Sequence, residues 1–205
     1  MNYFIAHRGL HSQDVKENSL LAFKKSLESH EFDGFECDIR TSKDGILVVN
    51  HNSFVGTHLI SKTNYQVLHQ KYGIDSLETV LKLRSAKIFL LEIKEKDVNI
   101  PLLVSILNKY SSKNIYVMSF YKKVIHLLRR KNVKCKLGVL NTVLNSEDSY
   151  EDYDFIGLLE VVATKKLVSY FQRKGILVFF YGVHEMRKSN QVYDNIYFIC
   201  DKKVI

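Results

Sequence analysis

Nine short apolar runs punctuate the 205-residue chain, near Tyr3–Ala6, Gly34–Ile39, Ile46–Asn50, Ile88–Ile93, Ile115–Phe120, Lys136–Leu140, Phe155–Leu159, Ile176–Tyr181 and Ile196–Cys200. They are rich in Val, Ile, Phe and Tyr and mostly continuous rather than alternating, the pattern of strands buried on both faces of a parallel sheet. Segments with helical spacing lie between most of them. Ser19–Ser29 carries Leu20, Phe23 and Leu27 at steps of three and four, with Asn18 or Ser19 available as cap. Ser76–Leu83 opens on a Ser, Pro101 stands at a first helical position before Leu102 and Leu103, Lys122–Lys131 follows, and Thr164–Lys174 ends at Gly175. Strands alternating with helices over this length predict a compact (β/α)8 TIM barrel, in one domain spanning residues 1–205.

Nine runs are one too many for that barrel. Ser42-Lys43-Asp44-Gly45 is a turn signal that joins two strand pieces without a helix, which accounts for the excess. The stretch from Val183 to Asp194 is short for a last helix, so an abbreviated or irregular final element is expected there.

Ionisable residues fall where such a barrel keeps its active site, at the C-terminal ends of strands. His7 and Arg8 follow the first strand, Glu36 and Asp38 end the second, and Glu92 and Lys94 end the strand that starts near Ile88. Side chains two apart on a strand share a face, so Glu36 and Asp38 point one way, as do Glu92 and Lys94, while Cys37 faces the helices. Acids inside an apolar strand need a counterion. Glu36, Asp38 and Glu92 are therefore the candidate ligands of a divalent cation, and an all-oxygen set suits Mg²⁺ or Ca²⁺ rather than zinc. For the region about His51 to reach the same mouth, Ile39–Gly45 is expected to cross over rather than fold straight back. His7 and His51 then suit a proton donor and acceptor, Arg8 and Lys94 suit phosphate oxygens, and Gly9 lets the backbone turn beside a ligand. Together these groups read as a phosphodiesterase site, in which the metal and two cations draw charge from a diester.

IAHRG, ENSLLAF, FECDIRTSKDGILVVNHN and LEIK, with the closing KGILVFFYGV and YDNIYFICD, resemble in order and spacing the motifs of the glycerophosphodiester phosphodiesterase family. The resemblance runs from residue 5 to about residue 201. It implies a metal-dependent TIM-barrel enzyme that cleaves glycerophosphodiesters into glycerol 3-phosphate and an alcohol. It also implies metal ligation by Glu36, Asp38 and Glu92, acid/base work by His7 and His51, phosphate contacts from Arg8 and Lys94, and a place for Glu17 in the metal's shell or against substrate. Four positions depart from the family pattern. Asn52 replaces an Asp after the second histidine, Ser19 replaces a Thr, Ser53–Tyr72 is brief where many members carry an insertion, and Phe180-Tyr181-Gly182-Val183 replaces Trp-Thr-x-Asn. Alternatives on the same barrel are a lysophospholipase D or sphingomyelinase-like phosphodiesterase, or a non-catalytic phosphate-ligand binding homologue, for which Asn52 is the hint.

Three widely spaced cysteines without a CxxC pair argue against a disulfide framework and fit a reducing cytoplasm. Met1 runs into Asn2-Tyr3-Phe4-Ile5-Ala6 with no basic stretch and apolar run, so no signal peptide is expected. A net charge of +8 favours anionic partners. The basic run of Lys122, Lys123, Arg129, Arg130, Lys131 and Lys134 suits peripheral contact with an anionic membrane surface, whereas its poor aromatic interleaving argues against nucleic acid. Nothing in the sequence sets an oligomeric state.

Overall fold

The computed structural model describes residues 1–142, 149–186 and 193–203. In chain order the first elements are β1 (Tyr3–Ala6), α1 (Leu20–Glu28), β2 (Gly34–Thr41), β3 (Leu47–Val49), β4 (Phe54–Val55), β5 (His58–Leu59), α2 (Tyr65–Tyr72) and α3 (Leu77–Leu81). They are followed by β6 (Ile88–Ile93), α4 (Ile100–Lys109), β7 (Ile115–Ser119), α5 (Lys122–Arg130), β8 (Lys136–Asn141), β9 (Phe155–Leu159), α6 (Lys165–Arg173), β10 (Leu177–Met186) and β11 (Ile196–Lys203). Eight of the strands, in the order β1-β11-β10-β9-β8-β7-β6-β2, run parallel, and pairing of β1 with β2 closes the ring. The fold is a (β/α)8 barrel. No helix among the described residues is long and apolar enough to cross a membrane.

Strand parity divides the apolar residues into two layers. Ile5, Leu90, Tyr116, Phe155, Phe179 and Tyr197 fill the barrel, with Phe179 stacked on Tyr197 at 4.3 Å between centroids. Alternate residues such as Phe35, Phe89, Leu91, Val117 and Phe198 face outward and pack with Phe23, Leu103, Leu128 and Phe171 of the helices. Helix starts follow local hydrogen bonding: Ser19, Ser76, Asn99 and Thr164 each accept a backbone N–H from the first turn. Helix α2 has no counterpart among the sequence-predicted elements. It buries only Leu68, which joins Val48, Ile60 and Ile74 in a small satellite core, so its apolar stripe is too thin to register as a periodic signal.

The connection after β2 corrects one expectation. The segment does fold straight back: the turn is closed by Gly45 N–H to Ser42 O at 3.0 Å, and β3 lies antiparallel on β2. His51 still returns to the mouth, because β2 continues three residues beyond Asp38 before turning and β3 descends by the same amount. Asn50 N–H then reaches Asp38 O at 3.0 Å. There is space for β3 because β1 ends opposite Phe35, leaving the upper half of β2 without a neighbour on that side. At the other end of the chain, β10 runs on past Val183 to Met186, with a register shift against β11 at Gly182, whose φ is +77°. The short or irregular final helix expected before Asp194 falls on residues 187–192, outside the described residues.

Two glycines make the barrel interior possible. A Cβ on Gly138 would lie 2.4 Å from the Phe155 ring, and one on Gly157 would lie 2.3 Å from Leu140. Gly138→Ala is accordingly expected to destabilise the protein by about 1–3 kcal/mol, read as a lower urea midpoint. A Phe155→Leu background should shrink that penalty; equal penalties in the two backgrounds would contradict the packing account.

Candidate active site

Glu36 and Asp38 point from β2 into the barrel, and Glu92 points in from β6, with Asp38 and Glu92 in direct register. One carboxylate oxygen from each lies within 4.8 Å of the others, and all three side chains are buried. Burial, then repulsion from Asp38 and Glu92, pushes the Glu36 carboxyl well above its ordinary value. Burial also raises Glu92, against the pull of Lys94. Counter-charge comes from two side chains. Lys94 Nζ is 2.7 Å from Glu92 Oε1 and 3.5 Å from Asp38 Oδ1, and Arg8 Nε is 3.4 Å from Asp38 Oδ2.

Two cations against three carboxylates leave an excess negative charge in a buried volume. Glu36 Oε1 shows the consequence directly, since it is buried and has no hydrogen-bond partner. An oxygen-only cluster with an orphaned, inward-facing carboxylate atom fits a hard divalent cation.

Local backbone conformation brings the remaining groups in. Arg8 has a φ of +54°, and its N–H donates to Glu36 Oε2 at 3.0 Å. Its Nη1 donates to both oxygens of Glu17, at 2.9 and 3.1 Å. Glu17 therefore stands outside the three-carboxylate cluster and anchors Arg8. Asn18, at φ +52°, leaves the capping of α1 to Ser19 and turns its amide to Asp38: Nδ2 donates to Asp38 Oδ2 at 2.8 Å, and Oδ1 accepts from Asp38 N–H at 3.1 Å. Non-glycine residues in the left-handed region are uncommon, and two here hold the same carboxylate cluster.

The imidazoles are each tied through Nδ1. His7 Nδ1 lies 2.7 Å from Asp201 Oδ1, and His184 Nδ1 lies 3.1 Å from the other oxygen. Burial opposes ionisation of Asp201, but the hydrogen bonds to His7 and His184 prevail and bring its pKa down to about 2. His51 Nδ1 is 3.0 Å from Asn52 Oδ1, and Arg40 fixes the His51 carbonyl at 2.6 and 2.9 Å. Burial, with Arg8 and Lys94 nearby, outweighs Asp38 and holds the His51 pKa below its usual 6.5. His7, Arg8, Glu36, Glu92 and Lys94 line one side of a cavity of about 220 Å³, and Met118, Phe120, Leu140, Tyr181 and Val183 line the other. His51 stands outside that lining, where β3 returns to the mouth.

Asn18 and Asp201 were not singled out by the sequence. Asn18 reads as a capping residue, and Asp201 stands only as the last residue of YDNIYFICD. Parity with the inward Tyr197 and Ile199 is the signal that places Asp201 inside.

Residues 7–115 match the model of the glycerophosphoryl diester phosphodiesterase family, a span that holds every site residue put forward from the sequence, while His184 and Asp201 lie beyond it. The chain belongs to this family. A glycerophosphodiester phosphodiesterase of Caldanaerobacter subterraneus is 49% identical over 51 residues, a stretch that spans 25% of this chain and 20% of that protein. Among solved members, the glycerophosphodiester phosphodiesterase of Thermotoga maritima superposes with a TM-score of 0.78 at 26% identity, covering 98% of this chain and 95% of the other. The Parabacteroides distasonis enzyme gives 0.84 at 19%, over 98% and 92%. An Oleispira antarctica phosphodiesterase in complex with sn-glycerol-3-phosphate gives 0.80 at 20%, over 97% and 92%; these last two likenesses show the fold.

A carboxyl whose pKa is higher folded than unfolded holds its proton more tightly in the native state, so Glu36 costs stability increasingly as pH rises above its ordinary 4.5. With chelator present, Glu36→Gln is expected to melt higher than the parent at pH 8, the difference shrinking as pH falls towards 4.5. Adding Ca²⁺ or Mg²⁺ at pH 8 should raise the melting temperature of the parent and leave Glu36→Gln nearly unmoved. A parent that melts higher than the variant in chelator at pH 8 would contradict the charge account.

Proposed function

We propose that this family member hydrolyses glycerophosphodiesters to glycerol 3-phosphate and an alcohol, with a divalent cation, Mg²⁺ or Ca²⁺, held by Glu36, Asp38 and Glu92. The observation that carries the reading is the convergence of those three carboxylates on one another, with Glu36 and Glu92 lining the cavity that His7, Arg8 and Lys94 also line. A bound cation would supply Lewis-acid polarisation of the phosphoryl oxygens and offset the excess negative charge. Arg8 engages Glu17 through Nη1 and Asp38 through Nε, which leaves Nη2 for a phosphate oxygen. Lys94 adds a point charge from the end of β6 and, with Arg8, holds the diester in place.

Proton traffic falls to the two imidazoles. Asp201 accepts from His7 Nδ1 and so fixes which ring nitrogen stays available to substrate, and Asn52 does the same for His51. One imidazole takes a proton from the attacking water, or from the neighbouring glycerol hydroxyl to give a cyclic phosphate that water then opens, as the new phosphorus–oxygen bond forms. The other returns a proton to the alkoxide as the old phosphorus–oxygen bond breaks. Asn52 is thus compatible with turnover, which counts against a purely binding homologue. The apolar side of the cavity, from Met118, Leu140 and Val183, favours a second reading in which a lysolipid is the diester. We also propose a cytoplasmic location, which suits a chain whose Cys37, Cys135 and Cys200 form no disulfide.

Release of glycerol 3-phosphate from glycerophosphocholine should require added Mg²⁺ or Ca²⁺ and stop with chelator. His7→Ala and His51→Ala should each lower kcat by about 10²-fold or more, and Asp201→Asn should act in the same direction through His7. Turnover within a few fold of the parent in both histidine variants would overturn the assignment. Lysophosphatidylcholine outrunning glycerophosphocholine in direct comparison would favour the second reading.

A further inference from the structure

Solvent-exposed apolar side chains carry information when they gather beside charge. Two loops at the barrel mouth bring this about. After β7, Phe120 and Tyr121 are exposed, and Lys122 and Lys123 open α5. After β9, Val161 and Val162 are exposed, Val161 to 78%, and Lys165 and Lys166 open α6. Only β8 separates β7 from β9, so an apolar pair followed by a lysine pair occurs twice on one arc of the mouth.

These lysines stand where the helix backbone disfavours them. A helix N-terminus carries partial positive charge and favours acids, yet neither α5 nor α6 has an acidic residue in its first turn. Lysine charge and helix dipole therefore add, and the arc is positive as well as apolar. Nucleic acid would use the charge but has no need of two exposed valines, and an uncharged protein surface would use the valines but not the charge. An anionic bilayer presents both demands in layers, hydrocarbon beneath negative headgroups.

We propose that this arc docks on an anionic lipid surface. Phe120, Tyr121, Val161 and Val162 enter the headgroup region, and Lys123, Lys165 and Lys166 meet negative headgroups. Phe120 also lines the cavity, where its ring meets Tyr181 edge to face at 5.8 Å, so apolar surface continues from the membrane side into the site. The geometry also divides the basic run noted in the sequence. Arg129 lies at the far end of α5, where it binds Asp154 at 2.7 Å and the Asp152 carbonyl just ahead of β9, on the face opposite the mouth. The docking surface excludes it.

Flotation of the full chain with phosphatidylcholine vesicles, with and without phosphatidylglycerol, tests the proposal and needs no turnover. Binding is expected only with phosphatidylglycerol and should weaken as salt rises. Lys165→Gln/Lys166→Gln should lower it roughly 25-fold, at about fivefold per charge. Val161→Ser/Val162→Ser should also weaken it, and Arg129→Gln/Arg130→Gln should leave it unchanged, with melting curves confirming that each variant is folded. No binding to either vesicle, equal binding to both, or loss only in the Arg129 and Arg130 variant would overturn the proposal. So would a dimer, seen by sedimentation, that Val161→Ser/Val162→Ser dissolves while vesicle binding persists.

Discussion

The mouth of this barrel is organised by uncompensated negative charge on two neighbouring strands. Glu36, Asp38 and Glu92 share a buried space because β2 and β6 pair in parallel with these residues on the inner face, and the apolar rings below them exclude water. Such an arrangement is costly unless cations answer it. Lys94 and Arg8 answer part of it, and the strained backbone at Arg8 and Asn18 is retained where it delivers a donor to Glu36 or Asp38. The remaining deficit, visible at Glu36 Oε1, is what makes a divalent cation the natural complement.

Around that centre the interior has two unlike halves. The arc from β11 through β1 and β2 to β6 contributes most of the ionisable groups, while β7 to β10 contribute Met118, Leu140, Tyr181 and Val183, with His184 of β10 at the border beside Asp201. Tyr181 keeps this second half uncharged: burial, with Glu92 nearby, pushes its hydroxyl up to about 12, and it donates to the Asn141 carbonyl. A diester seated across the cavity would have its phosphorus on the charged half and one of its substituents against the apolar half. The same apolar half rises to the rim at Phe120, so chemistry and surface character vary together around the ring.

Much of this was legible in the sequence because period-two geometry is unforgiving. Once Gly34–Ile39 and Ile88–Ile93 are strands, Glu36, Asp38, Glu92 and Lys94 must share the inner side and Cys37 the outer. What the sequence left obscure depends on contacts between distant segments. Nothing local tells how far β2 overshoots before its hairpin, so a straight return to the mouth could not be read from Ser42-Lys43-Asp44-Gly45. Asn18 has two uses for its amide, and only the neighbouring Ser19 taking the cap decides between them. Asp201 sits 194 residues from His7 in the chain and beside it in space, because β1 and β11 close the ring.

Diffraction from crystals grown with Mn²⁺, read through its anomalous signal, tests the central claim most directly. A peak within about 2.0–2.6 Å of an oxygen from each of Glu36, Asp38 and Glu92 is the expected result. A peak elsewhere on the chain, with these three carboxylates contacting only Lys94, Arg8 and Asn18, would contradict it.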